Sequence, residues 1–129
     1  MLNKYVLITG GAGYIGSHLT EFLIKKKYKV LVVDNFSNGK KEFINQKAKF
    51  EIINLLNKKT LFFKLKKYKI SSIIHLASNI DVFESEKKPN LYLKDNVKMT
   101  SNILDYAKKK RIKNFIFSST AAVYGDIGK

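Results

Sequence analysis

The 129-residue chain has no cysteine and no tryptophan, one proline and one arginine, and few acidic residues. Without cysteine it forms no disulfides and offers no thiolate to a metal. No apolar run approaches the roughly eighteen residues of a membrane span, and no charged segment at the start leads into an apolar core and a small-residue cleavage site. Neither membrane insertion nor secretion is therefore expected, and the cytoplasm is the expected compartment. Ten acidic against 25 basic residues give a formal net charge of +15, which taken alone suits a polyanion such as nucleic acid. The lysines, however, are dispersed in short groups at 25–27, 40–41, 58–59, 66–67, 87–88 and 108–110. Isoleucine, asparagine and phenylalanine are abundant beside them, the composition that an AT-rich coding sequence produces, and the basic group at 108–111 suits a helix C-terminus. The lysines read as a solvated surface, with neither a nucleic-acid nor a membrane partner expected.

Hydrophobic residues make up 45% of the chain, enough to give one domain a substantial core. Tyr5-Val6-Leu7-Ile8 is β-branched and apolar, as a fully buried parallel strand requires. Directly after it comes Thr9-Gly10-Gly11-Ala12-Gly13-Tyr14-Ile15-Gly16-Ser17-His18. Glycines at 10, 13 and 16 have the spacing of a dinucleotide pyrophosphate cradle. Gly10 allows the tight turn, Gly13 lets a phosphate approach the main chain, and Gly16 keeps the following helix close to the sheet. The free amides that open that helix, at Tyr14 and Ile15, would hold the anion. A second buried strand, 29–33, ends in Asp34, about two dozen residues after the first glycine, the expected place for a carboxylate that accepts ribose hydroxyls. Such a carboxylate repels a 2′-phosphate and favours NAD, although Lys40 and Lys41 leave an opening for NADP.

Strand and helix patterns alternate to the end. Ile15, Leu19, Phe22 and Leu23 recur at helical spacing; a third strand is predicted at 50–53. Asn57 caps a helix whose Leu61, Phe62, Leu65 and Tyr68 share a face. A fourth strand follows at 72–76. A long helix from about Pro89 carries Leu93, Val97, Thr100, Ile103, Leu104 and Ala107 at a 3.6-residue period, and the last strand is 114–118. Five buried strands joined by helical crossovers specify an α/β, Rossmann-like doubly wound parallel sheet, with an expected strand order of 3-2-1-4-5. A ligand would sit at the carboxyl ends of strands 1 and 4. No repeat or linker interrupts residues 1–129, and no second ligand at metal spacing accompanies His75, so no metal is expected.

Four segments, 9–18, Asp34-Asn35-Phe36-Ser37-Asn38-Gly39, His75-Leu76-Ala77-Ser78 and 114–126 (NFIFSSTAAVYGD), together resemble the extended short-chain dehydrogenase/reductase family, and within it the NAD-dependent epimerases and dehydratases. The resemblance spans the chain. It implies a nucleotide-sugar 4-epimerase that passes a hydride from the sugar to NAD and back through a 4-keto intermediate, with a UDP-sugar as substrate. It further implies cofactor contacts at Asn35, Asn38, Leu76, Ala77, Ser78, Asn96 and Ser118. Thr120 matches the family's Ser/Thr that hydrogen-bonds the reacting hydroxyl, which implies a catalytic role in orienting O4 and assisting its proton transfer, and Tyr124 matches a residue near the sugar.

Several positions depart from the family pattern. Asn54-Leu55 stands where the family has an Asp-φ pair flanking the adenine, and Ile80 replaces a lysine common near the nicotinamide ribose. The family's Tyr-x-x-x-Lys pair, in which a lysine lowers the tyrosine pKa, lies roughly two dozen residues beyond the Thr120 position; nine residues follow Thr120 here. The internal match Tyr106-x-x-x-Lys110 precedes that segment and is a chance one. The resemblance therefore implies an NAD-binding domain incomplete at its C-terminal side and inactive by itself, with a homodimer mate or a complementing C-terminal fragment as partner. Other readings are a non-catalytic NAD-binding module or half-subunit, and a sister nucleotide-sugar dehydratase, which the pair Ala121-Ala122 disfavours because that activity adds acidic residues there.

Overall fold

Apolar β-branched runs without alternation can be satisfied only in the middle of a sheet covered on both faces. The computed structural model, which describes residues 4–125 and 128, places them there. Strands β1 (Tyr5–Thr9), β2 (Lys29–Asp34), β3 (Lys49–Ile52), β4 (Ile70–His75) and β5 (Asn114–Phe117) form one sheet of order β3-β2-β1-β4-β5. All four pairings are parallel. The fold is the α/β, Rossmann-like doubly wound sheet that the sequence predicts.

Helix α1 (Tyr14–Lys25) covers one face, where Leu19, Leu23 and Ile24 pack on Ile8, Val30 and Val32. Helix α2 (Lys58–Leu65) and the long helix α4 (Pro89–Lys109) cover the other. There Leu61, Leu65, Ile103 and Tyr106 enclose Leu7, Leu31 and Ile73. Asn57 caps α2 by accepting from the Thr60 amide at 3.0 Å.

Three expectations need correcting. Tyr68 lies just beyond α2 rather than on it, and packs on the core from the following turn. A short helix α3 (Val82–Lys87), capped by Asp81 on the Glu84 amide, precedes α4 and was not foreseen. On α4 the core takes Tyr92, Met99, Asn102, Ile103, Tyr106 and Ala107, whereas Leu93, Val97 and Leu104 of the predicted apolar face are exposed. Helical periodicity identifies an apolar stripe without saying what covers it, and α4 has two. Asp126, at the end of the segment 114–126, is outside the described residues.

Candidate functional site

The carboxyl ends of β1, β2 and β4 open into a hollow of about 310 Å³, at the switch point of the sheet. Its floor is the turn from β1 into α1. Gly10 adopts a left-handed conformation (φ 71°), and a Cβ there would lie 2.8 Å from the Ala77 amide nitrogen. Gly16 is a close-approach position, since a Cβ would come within 2.2 Å of the Gly10 carbonyl oxygen. Gly13 differs from both. Its backbone is extended, and its Cβ would meet only the Gly10 oxygen, at 3.3 Å. Internal packing therefore presses least on this residue, and the space left open is the hollow itself.

No side chain caps α1, and its ladder begins with the Ser17 amide donating to the Gly13 carbonyl at 2.9 Å. The amides of Tyr14, Ile15 and Gly16 thus belong to the first turn, where helix geometry provides no internal acceptor. No acidic residue occupies that turn. These features leave the positive helix end available to an anion.

Facing this end is Asp34. Its Oδ2 accepts from the Ala12 amide at 3.0 Å and its Oδ1 from the Phe36 amide at 2.8 Å, fixing the carboxylate while each oxygen keeps further acceptor capacity. The Lys40 amide donates to the Ala12 carbonyl at 3.2 Å, and Gly39 lies so near that a Cβ would be 2.8 Å from Ala12. Ala12, fully buried, therefore locks the glycine turn to the loop after β2. In that loop Asn35 Oδ1 accepts from the Ser37 amide and hydroxyl, and Phe36 takes the left-handed φ of 59°, uncommon for a bulky residue.

Of the residues singled out in the sequence, the hollow brings together Gly10, Gly13, Tyr14, Ile15, Gly16, Asp34, Asn35, Asn38, Leu55, Leu76, Ala77, Ser78 and Ser118. Asn54, Asn96, Thr120 and Tyr124 lie outside its lining. Asn54 is exposed, with its Oδ1 accepting from the Leu56 amide at 3.0 Å. Asn96 acts on the loop after β4, its Oδ1 accepting from the Asn79 amide at 2.8 Å and its Nδ2 donating to the Asn79 carbonyl. Thr120 and Tyr124 are exposed beyond β5, where the Val123 amide donates to the Thr120 carbonyl.

The lining also includes Ile80, noted above as a departure from the family pattern, and Ser37 and Gly39 of the segment 34–39, together with residues not singled out as site residues: Val33, Ile53, Asn79 and Met99. Val33 and Ile53 could have been found as the last apolar residues before Asp34 and Asn54; Met99, arriving from α4, has no local signal. Asn102, likewise unforeseen, is buried and donates from Nδ2 to the Leu55 carbonyl at 2.7 Å, holding the loop after β3 against α4.

His75 closes the buried side of the β4 end. Thr9 Oγ1 accepts from the Leu76 and Ala77 amides, so its own proton goes to His75 Nδ1, 2.6 Å away. The ring is then the Nε2–H tautomer and donates to Thr100 Oγ1 at 3.1 Å. Burial pushes its pKa down to about 4. Tyr106 is similarly committed to the core, its hydroxyl donating to the Leu65 carbonyl at 3.2 Å, with burial raising its pKa to about 12. A phenol so placed is no general base at neutral pH.

Residues 6–129 match the NAD dependent epimerase/dehydratase family. A UDP-glucose 4-epimerase of Rhizobium leguminosarum is 42% identical over 125 residues, which are 97% of this chain and 38% of that protein. One from Schizosaccharomyces pombe is 40% identical, across 94% of this chain and 36% of its own length. The crystal structure of Thermus thermophilus UDP-glucose 4-epimerase in complex with NAD superposes with a TM-score of 0.92 at 30% identity, covering 97% of this chain and 40% of that one. The chain thus spans little more than a third of the length of such relatives.

Proposed function

Because the chain belongs to the NAD dependent epimerase/dehydratase family, we propose that residues 1–129 are the NAD-holding domain of a nucleotide-sugar 4-epimerase acting on a UDP-sugar. By themselves they bind NAD and turn nothing over. One observation carries the binding half: the uncapped start of α1, with the open Gly13, and the fixed carboxylate of Asp34 line the same hollow. A diphosphate flanked by a ribose diol needs these two features side by side.

When bound, the nicotinamide supplies a reversible hydride acceptor for the sugar carbon. The chain's own residues hold and orient. The amides of Tyr14, Ile15 and Gly16 offset the diphosphate charge, while Asp34 accepts the ribose hydroxyls and repels a 2′-phosphate. Asn35 and Asn38 line the ribose side and Leu55 the base, with Asn54 beside it at the rim; Leu76, Ala77, Ser78 and Ser118 line the nicotinamide side, and Asn96 sets the loop after β4 through Asn79. Thr120 hydrogen-bonds the reacting hydroxyl and Tyr124 flanks the sugar. A partner or further segment must supply the group that removes the hydroxyl proton, since the one Tyr-x-x-x-Lys match uses a buried tyrosine bonded to Leu65.

The test is calorimetric titration of NAD+ into the chain and into Asp34→Ala, with UDP-galactose turnover assayed on the same samples. Micromolar binding, no turnover, and a roughly tenfold to hundredfold loss of affinity in the variant are expected, because a charge-assisted hydrogen bond contributes about 1.5–3 kcal/mol. Absence of NAD+ binding would overturn the first half of the proposal; turnover by the chain alone would overturn the second.

A further inference from the structure

Asn38 is the only asparagine of the chain that precedes a glycine. A glycine nitrogen has no side chain beside it to hinder attack on the neighbouring side-chain amide, which makes this dipeptide a favoured place for ring closure. The fold leaves the pair chemically free. Asn38 is exposed on the bend after β2, and among the described residues neither its side chain nor the Gly39 amide has a hydrogen-bond partner. The other asparagines of the neighbouring loops are engaged: Asn35 Oδ1 accepts from the Ser37 amide and hydroxyl, and Asn54 Oδ1 from the Leu56 amide. Asn38 also lines the hollow, on the loop that Ala12 ties to the glycine turn.

We propose that Asn38 is a site of spontaneous deamidation whose products set a second negative charge in the hollow and open the Ala12 clamp. The Gly39 nitrogen, once deprotonated, bonds to Asn38 Cγ, and the side-chain nitrogen leaves as ammonia. Water then opens the cyclic imide at either carbonyl. One opening leaves an aspartate at position 38; the other leaves isoaspartate, with Gly39 attached through the former side chain. Water enters and ammonia leaves, and nothing is oxidised or reduced. Either product adds a carboxylate to a lining whose one charged side chain is Asp34, so a diphosphate there meets repulsion that no cation of the lining offsets. Isoaspartate does more, because it lengthens the main chain by a methylene directly before Gly39. That space is taken: a Cβ on Gly39 would lie 2.8 Å from Ala12. The loop must lift, which breaks the bond from the Lys40 amide to the Ala12 carbonyl and loosens the Ala12 amide that fixes Asp34. The consequence for a dinucleotide rests on the function proposed above; the chemistry at Asn38 does not.

The test incubates the chain in mildly alkaline buffer and follows every asparagine by peptide mass spectrometry, with isoaspartyl methyltransferase labelling to separate the two products. Asn38 should convert ahead of all the others, and Asn38→Gln, whose longer side chain closes a ring less readily, should stay intact. In the isoaspartate product, amide hydrogen exchange at Ala12 and Lys40 should quicken. Calorimetry should show NAD+ affinity falling about tenfold or more on conversion, equivalent to about 1.4 kcal/mol. Asn38→Asp should reproduce the loss of affinity due to charge without the faster exchange, and Asn38→Gln should keep its starting affinity through the same incubation. Survival of Asn38 while other asparagines convert overturns the proposal, as does an isoaspartate product in which Ala12 exchanges as slowly as before. NAD+ titration of fresh and converted chains separates the two ideas. A fresh chain that takes up no NAD+ sinks the cofactor reading and leaves Ala12 exchange to judge the modification; a fresh chain that binds NAD+, and binds it equally well once converted, sinks the modification alone.

Discussion

Around β1 and β2 the strand side chains Leu7, Ile8, Leu31 and Val32 are wholly buried, whereas at β5 Ile116 and Phe117 remain largely in solvent. The polar groups differ in the same way. Near β1 and β2 the Asp34 carboxylate, the Ala12 amide and carbonyl and the Lys40 amide bond one another within a single pair of loops. Near β5, Thr120 and Tyr124 sit on an exposed turn. The hollow at the ends of β1 and β2 is closed by bonds between neighbouring loops, whereas the turn after β5 stands in solvent.

The largest effect expected at the complete end comes from Gly16→Val. A Cβ would meet the Gly10 oxygen at 2.2 Å and the Gly11 Cα at 2.6 Å, both of them backbone atoms. Helix α1 would have to move off the turn, at a cost above about 3 kcal/mol because the clash is with main chain rather than a flexible side chain. Denaturant unfolding should show that loss and calorimetry the loss of NAD+ binding. A variant of normal stability would show that the close approach of α1 contributes little.

His75 stands at the boundary between the two ends and makes the comparison pH-dependent. Its pKa falls from 6.5 to about 4 through burial. The unfolded chain therefore binds the proton more readily than the folded one between those values. The contribution is present in full above pH 6.5 and is lost as the pH falls, reaching about 3 kcal/mol at pH 4. Unfolding midpoints at pH 7 and pH 4 measure it, and His75→Gln should flatten the dependence. An unchanged midpoint in the parent chain would mean that the Thr9–His75–Thr100 chain of hydrogen bonds tolerates a charged ring.

Local chemistry made most of this legible in the sequence. The strands read through because parallel strands covered on both faces are continuous apolar runs, and the glycine turn because its spacing answers local demands such as the packing of Gly16 on Gly10 and Gly11. Helix α3 was missed although Asp81 and Glu84 have capping spacing, because six residues offer no period to detect. The clamp at Ala12, the support from Asn102 and the entry of Met99 were illegible for another reason. Each joins segments distant in the chain through side chains that carry no motif. The same limit misassigned the buried stripe of α4: Leu93 and Tyr92 are neighbours in sequence, and it is Tyr92 that turns inward, its hydroxyl donating to Glu84 of α3 at 2.6 Å.

The smallest effect is the one that sharpens the contrast most. Ile8→Ala removes atoms from a closed core and should cost about 2–5 kcal/mol. Ile116→Ala, the same deletion in the same sheet, should cost under about 1 kcal/mol in the isolated chain, since strand preference is nearly all that is lost. Urea unfolding of the two variants at equal, low protein concentration makes the comparison. A large loss at Ile116 that persists on dilution would mean the edge is already covered within the chain. A loss that appears only at high concentration would identify a second copy as the cover. A small loss that becomes large when the remainder of a 4-epimerase is present would mark β5 as a strand whose burial awaits another part of the fold.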